Sequence, residues 1–261
     1  MTRKSFGKAG LKCFVCLLLS ILAGILLMTC VYILPTGRML TQADRSLPIF
    51  ENEGTSFCWA PEEKSARLDG FTDAIMMQIA VYIRDADPLK AAMQNDRMEF
   101  TEGKLDPAGS LKQYVYGDRS GYVVDYARYW HGYLIWLRPL LCVMSITGVR
   151  VVQYLVLFAL LAVILWQLRR QCGLRTMVWF AVSQLAVTVF WVPHQVQYFT
   201  TFCIAYAGCA WVLARPRRAG QLSIALVVLG TCTAFCDLLV TPIITLGLPV
   251  AVWLCCLPQR A

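Results

Sequence analysis

Negative charge is almost missing from this chain outside one segment. Of sixteen acidic residues, fifteen fall between Asp44 and Asp125, and only Asp237 lies elsewhere, alone in a hydrophobic stretch. Histidine is scarce too. His131 and His194 are the whole complement, too few for a histidine-based metal centre. The only C-x-x-C spacing, Cys13-Phe-Val-Cys16, opens an apolar run, so no cysteine pair of metal-binding spacing lies in the polar part. No P-loop, nucleophile elbow, zinc-binding helix or dinucleotide fingerprint occurs, which argues against ATP-driven transport by this chain alone. There is no internal repeat and no low-complexity tract.

What is present is apolar. The hydrophobic fraction is 58% and the mean hydropathy is +0.56, outside the range of soluble domains. A bilayer-spanning helix needs roughly 20 mostly apolar residues. Uncharged windows of about that size run over Cys13–Leu34, Val151–Leu168, Thr176–Pro193, Val196–Ala214 and Leu238–Leu257, with a shorter one at Gln221–Cys236. Backbone groups in hydrocarbon must be satisfied within the segment, so these windows predict helices. The expectation is an all-α polytopic bundle of about six transmembrane helices, the last two forming a tight hairpin. Three regions follow: a first span within residues 1–34, a large loop over 35–149, and five spans within 150–261.

Charge sets the orientation. The loop is slightly acidic, with twelve Lys/Arg against fifteen Asp/Glu, so the net charge of +8 comes from short connectors. These hold Arg3, Lys4, Lys8 and Lys12; Arg169, Arg170 and Arg175; Arg215, Arg217 and Arg218; and Arg260. Basic connectors stay cytoplasmic, and six spans put all four clusters on one side. The reading is a plasma-membrane protein with both termini inside and an extracytoplasmic loop, meeting membrane lipids and not nucleic acid. The first apolar run is longer than a signal-peptide core and no small-x-small site follows it, which points to a retained anchor. Of twelve cysteines only Cys58 sits well inside the loop, and the others read as small apolar packing residues.

Within the loop, Leu68, Phe71, Ile75, Ile79, Tyr82 and Ile83 recur at helical spacing. They predict an amphipathic helix, with Asp69 and Asp73 on roughly its opposite side, that lies on the outer leaflet or docks against the spans. Residues 84–121 read as a charged excursion with short helices. Asp125 to Leu141 then packs Tyr126, Tyr129, Trp130, Tyr133 and Trp136 closely together, as in a headgroup-level aromatic belt. A second interfacial helix is predicted there, broken near Pro139, with Asp125, Arg128 and His131 at i, i+3 spacing on one face.

This layout resembles the GT-C class of integral-membrane glycosyltransferases. The stretches that carry the likeness are His131-Gly-Tyr-Leu-Ile-Trp-Leu, Gly148-Val-Arg-Val-Val-Gln-Tyr and Trp166-Gln-Leu-Arg-Arg170, with a weaker echo in Val192-Pro-His-Gln-Val-Gln-Tyr198. The resemblance implies transfer of a sugar from a polyprenyl-phosphate donor to an extracytoplasmic acceptor. Two features depart from the class: its acid usually follows the first span closely, and its members usually continue beyond a sixth span.

Inverting transfer needs a carboxylate to take the acceptor proton and cations near the departing phosphate. Asp73 and Asp69 are the candidate bases, and Asp44 is a third by its nearness to the first span. Both Asp69 and Asp73 also suit plain capping of a first helical turn. Arg128 is a candidate for lipid phosphate and His131 for sugar or phosphate, with Asp125 as their neighbour. Arg138 and Arg150 bracket the entry to the second span, where plain anchoring at phospholipid headgroups is expected and contact with a polyprenyl phosphate is the alternative. His194, Gln195 and Gln197 lie at an outer turn, and Asp237 is an acid that needs water or a partner. No cofactor is required by these residues. Mg²⁺ or Mn²⁺ would suit carboxylates, though no ligand spacing asks for one. The alternative to an enzyme is a non-catalytic membrane partner in cell-envelope or polysaccharide assembly. A secondary transporter fits worse, because the spans are nearly charge-free and asymmetric about one loop.

Overall fold

The structure, a computed structural model, describes residues 3–60, 67–101, 105–214, 219–236 and 241–256. It is 74% helical with almost no strand. Among the described residues three helices are long and apolar enough to cross a bilayer: Gly10–Tyr32 within α1 (Arg3–Tyr32), all of α8 (Ile146–Cys172), and α10 (Val196–Ala214). Leu11, Phe14, Leu18, Leu22 and Leu26 on α1, and Val151, Leu155 and Trp166 on α8, point outward with their apolar surface uncovered. Water penalises that exposure and lipid accepts it, so these helices are compatible with a membrane protein.

The remaining predicted spans are shorter helices. The window Thr176–Pro193 divides into α9 (Leu174–Ala186) and a 3₁₀ turn over Val189–His194. Thr188 between them has φ of 52°, a left-handed conformation that a β-branched residue adopts at a cost and that stops the helix. The last two windows become α11 (Ala219–Cys236) and α12 (Pro242–Cys255). Asp237 lies outside the described residues.

The fold divides into two compact units. One gathers residues 1–24, 153–194 and 198–261; the other gathers 25–152 with 195–197. In the first, α11 and α12 pack together, and the buried hydroxyls of Thr233 and Thr245 hydrogen-bond at 2.8 Å. Near the start of α8 the Tyr154 hydroxyl donates to the Phe190 carbonyl at 2.7 Å. At the other end the Gln171 amide donates to the Leu213 carbonyl, also at 2.7 Å. Beside it a disulfide joins Cys172 to Cys256, with Cα atoms 5.8 Å apart. These two cysteines are therefore not the simple packing residues that their apolar surroundings suggest.

The second unit holds most of the polar chemistry. Helices α2 (Thr36–Asp44), α3 (Leu47–Glu53), α6 (Pro107–Val115) and α7 (Leu134–Leu141) surround α4 (Gly70–Val81), together with strand β1 (Arg97–Glu99). Asp69 caps α4, accepting a hydrogen bond from the Thr72 backbone at 2.9 Å. The helix was expected to be two-faced, with one apolar stripe and one polar side. It is instead buried on nearly every side, from Asp73 through Tyr82. The reason is compositional: past Asp73 its only polar side chain is Gln78, so no water-facing stripe exists. Gln78 meets its need by donating to the Pro107 carbonyl at 2.9 Å. Burying Met76, Met77 and Ile79 contributes roughly 1.5–3 kcal/mol each.

The charged excursion forms α5 (Pro88–Gln94) and α6, each opened by an Asp-Pro pair. Asp87 and Asp106 cap the free N–H groups while proline occupies the first turn. Strand β1 pairs antiparallel with β2 (Tyr122–Val124), a ribbon that helical spacing gave no sign of.

The second interfacial helix is corrected. Residues 125–133 are irregular, and only Leu134–Leu141 is helical. His131 has φ of 54°, so Asp125, Arg128 and His131 share no helical face.

Candidate functional site

The first turn of α4 gathers the strongest constellation, all of it within the second unit. Asp69 is held by three donors: the Thr72 backbone, the Thr72 hydroxyl at 2.5 Å and the Gln197 amide at 3.0 Å. One turn on, the Asp73 side chain accepts the Val196 backbone N–H at 3.0 Å. The segment 195–197 is thus pinned to both carboxylates, which share it because they stand four residues apart on one helix. Gln195 is buried, and neither its amide nitrogen nor its oxygen has a hydrogen-bond partner. An unsatisfied buried amide costs about 1–3 kcal/mol, a penalty that a bound polar group would remove.

Asp73 is 2% exposed. Loss of water pushes its carboxyl up from the ordinary 3.8 to about 8. The positive charge of Arg150 and the bond from Val196 oppose that rise, while the negative charges of Asp69 and Glu53 add to it. Arg150 is committed elsewhere: it grips Glu53 with two parallel bonds of 2.6 and 2.7 Å. Its Nε has no hydrogen-bond partner. Glu53 ends α3 and Arg150 belongs to the first turns of α8, so the fork joins elements almost a hundred residues apart in sequence. Three acids and one arginine in a low-dielectric setting favour keeping one proton, and burial assigns it to Asp73.

A second constellation surrounds His131. Its Nε2 lies 2.9 Å from the Tyr126 carbonyl and its Nδ1 lies 3.3 Å from the Tyr133 hydroxyl. A carbonyl only accepts, so Nε2 carries the proton and Nδ1 accepts from Tyr133. Burial first, and then the charge of Arg97, lower the imidazole to about 4, so it is neutral at physiological pH. The rings of Tyr126, Tyr129 and Tyr133 pack around it with centroids 5.1–6.2 Å away. Tyr133 is fully buried, and its hydroxyl is pushed well above its ordinary range by burial and by Tyr32, with Asp73 among the smaller contributors.

The remaining predicted residues scatter. Asp44 is exposed at the end of α2. Asp125 is exposed and accepts the Ala127 N–H at 2.9 Å, a local turn. Arg128 is exposed with its guanidinium 5.5 Å from the centre of the Tyr129 ring. It lines a cleft of about 150 Å³ with Ala92, Met93, Asn95, Ala127, Tyr129 and Trp130. His194 ends the 3₁₀ turn, half-buried, its ring 5.8 Å from that of Trp191. Among the described residues no three His, Cys, Asp or Glu side chains cluster so as to hold a metal ion.

Two acids, Glu53 and Glu99, escaped the reading of the sequence, and Arg138 is placed differently from its expectation. Glu53 was not singled out, and nothing in its local pattern marks it as the partner of Arg150. Arg138 is fully buried, not at a headgroup. It donates to the carbonyls of Val31 at 2.9 Å and Ala80 at 2.5 Å, and it lies 4.3 Å from the centre of the Tyr32 ring. Glu99, also buried, holds Arg97 at 2.9 Å and the Ser110 hydroxyl at 2.8 Å. Compared with protein family models, curated proteins and solved structures, the chain matches none.

Proposed function

We propose that this chain is a six-span membrane enzyme of GT-C type. It would transfer a sugar from a polyprenyl-phosphate donor to an acceptor hydroxyl outside the cytoplasm, with Asp73 as the base. The observation that carries the reading is the carboxyl of Asp73, with its proton affinity raised to about 8, set beside Asp69 and the 195–197 segment. A general base works best when its pKa lies near the working pH. In the proposed step the ionised Asp73 takes the acceptor proton and the acceptor oxygen bonds to the anomeric carbon. The bond from that carbon to phosphate breaks and the phosphate departs with the electron pair. Asp69, fixed by Thr72 and Gln197, positions the α4 turn. The contacts at opposite ends of α8, Tyr154 to Phe190 and Gln171 to Leu213, support the up-and-down arrangement of helices. The basic connectors support both termini being cytoplasmic and 35–149 being outside.

A docking protein in envelope assembly is the second reading. It is favoured by the burial of Asp73 and by the bond it already makes to Val196, since both carboxylates could serve only to fasten the 195–197 segment. Transfer measured in membranes with radiolabelled polyprenyl-phosphate sugars separates the two. The enzyme reading expects a rate that climbs with pH toward about 8 and falls at least a hundredfold in Asp73→Asn, with the protein still inserted. No transfer from folded wild-type protein across a panel of sugars moves the assignment to the docking reading.

A further inference from the structure

We propose that Cys172 and Cys256 are a reversible thiol–disulfide pair at the cytoplasmic ends of α8 and α12, open in unstressed cells and closed by oxidation. The proposal rests on the orientation given above, with the basic connectors inside. Cys172 is the last residue of α8, just after Arg169 and Arg170. Cys256 caps α12. Their sulfurs are bonded, and the Cα separation of 5.8 Å lies within the ordinary range for disulfides. The amide of Gln171 reaching the Leu213 carbonyl puts the end of α10 at the same place. Three helix ends therefore meet on the side that the arginines assign to the cytoplasm. Thiols are kept reduced in that compartment. A pair whose backbone already fits a disulfide, placed in a reducing compartment, responds to redox change instead of serving as a permanent brace.

Accessibility orders the chemistry. Cys172 is half-buried and Cys256 is 4% exposed, so Cys172 meets the oxidant first. Its thiolate attacks a small-molecule disulfide, forming a mixed disulfide and releasing one small thiol. The Cys256 thiolate then attacks the Cys172 sulfur and expels the second small thiol. Two protein thiols become one disulfide while one small disulfide becomes two thiols, so electrons balance. Closure ties residues 84 apart in sequence and fixes α12 to α8. Cys255 is exposed and free, and it acts as the built-in control, since it stands next to Cys256 but takes no part in the bond.

The test traps thiols with N-ethylmaleimide in intact cells and maps cysteine peptides by mass spectrometry in the full-length protein. Expected are alkylated Cys172 and Cys256 in unstressed cells. A cross-linked 172–256 peptide should follow diamide or a cell-permeant alkyl disulfide and vanish on washing with reductant. Cys172→Ser must abolish the peptide, and Cys255→Ser must leave it. A peptide already fully cross-linked in unstressed cells, or none after oxidant, overturns the proposal. A membrane-impermeant maleimide separates the two layers of the reading. If it labels Cys172 from outside intact cells, the orientation fails and the proposal with it. Labelling only after permeabilisation upholds the orientation, and the redox result then stands on its own.

Discussion

Replacing Asp73 by asparagine should make the protein less stable in acid and more stable at neutral pH and above. In the unfolded chain the carboxyl titrates at its ordinary 3.8, whereas the fold keeps its proton to about 8. Between those values the unfolded state releases a proton that the folded state retains. Stability therefore falls as pH rises from about 4 to about 8 and levels off above. At pH 7 the roughly three units separating 7 from 3.8 correspond to a cost on the order of 4 kcal/mol. Asparagine removes that cost and keeps an oxygen for the Val196 N–H. It also buries an extra N–H donor, at about 1–3 kcal/mol. The two effects cross near pH 5, with wild type ahead at pH 4 and the variant ahead by about 2–4 kcal/mol at pH 8. For a chain of this size that is roughly 4–16 °C in apparent Tm. Differential scanning fluorimetry of both proteins in detergent from pH 4 to pH 9 reads this directly. Parallel curves, or a wild-type curve without a descending limb, would refute a buried protonated Asp73.

Two further changes probe the frame around that carboxyl. Arg150→Gln leaves Glu53 without its two-pronged partner in a mostly buried setting and should cost about 3–5 kcal/mol. Because Arg150 also holds the Asp73 proton affinity down, the descending limb of stability should shift to higher pH. A melting curve that falls in height but not in position would separate the fork from the carboxyl. Gly70→Ala tests packing alone. A β-carbon at Gly70 would overlap the carbonyl oxygen of Gly54, and relief by backbone movement costs about 1–3 kcal/mol. A drop of several degrees in apparent Tm, with the pH profile unchanged, is the expected result.

The long apolar windows were legible because hydrocarbon imposes one solution on the backbone. The window Val196–Ala214 coincides with α10, and Val151–Leu168 lies wholly inside α8. The helix after Asp69 was legible from its apolar spacing, and the capping role of Asp69 from its position. What periodicity could not tell was its surroundings. A stripe of six apolar residues reads as one buried face, but Ala74, Met76, Met77, Ala80 and Val81 are buried as well. An alanine or methionine on the opposite face signals neither water nor core. The aromatic run 125–133 misled for a related reason. Its i, i+3 charges suit a helix, yet β2 ends at Val124 and the chain reaches α7 through a left-handed His131. Pairing of β2 with β1 decides that, and it depends on residues more than twenty positions earlier.

The carboxylate site itself was half-visible for a physical reason. Local spacing identifies groups that one helix presents together, so Asp69 and Asp73 stood out, and the glutamines of 195–197 were noticed as polar residues at an apolar turn. Nothing local says that these two segments meet: one bond is made by the backbone N–H of Val196, a group every residue but proline carries, and the other by the Gln197 amide, whose partner its own neighbours do not indicate. Nor does sequence announce Glu53, one ordinary acid among fifteen in the loop, until Arg150 closes on it. The consequence is that the proton affinity of Asp73 is a property of tertiary packing. It is set by burial against residues 195–197 and tuned by a fork anchored in α3 and α8, so any movement that loosens those elements lets water in and lowers it. Parting the 195–197 segment from α4 would therefore ionise Asp73 by admitting water, and would lower its proton affinity at the same time. On that view, the stability that wild type forgoes at neutral pH is the cost of keeping an ionisable group where asparagine would fold better.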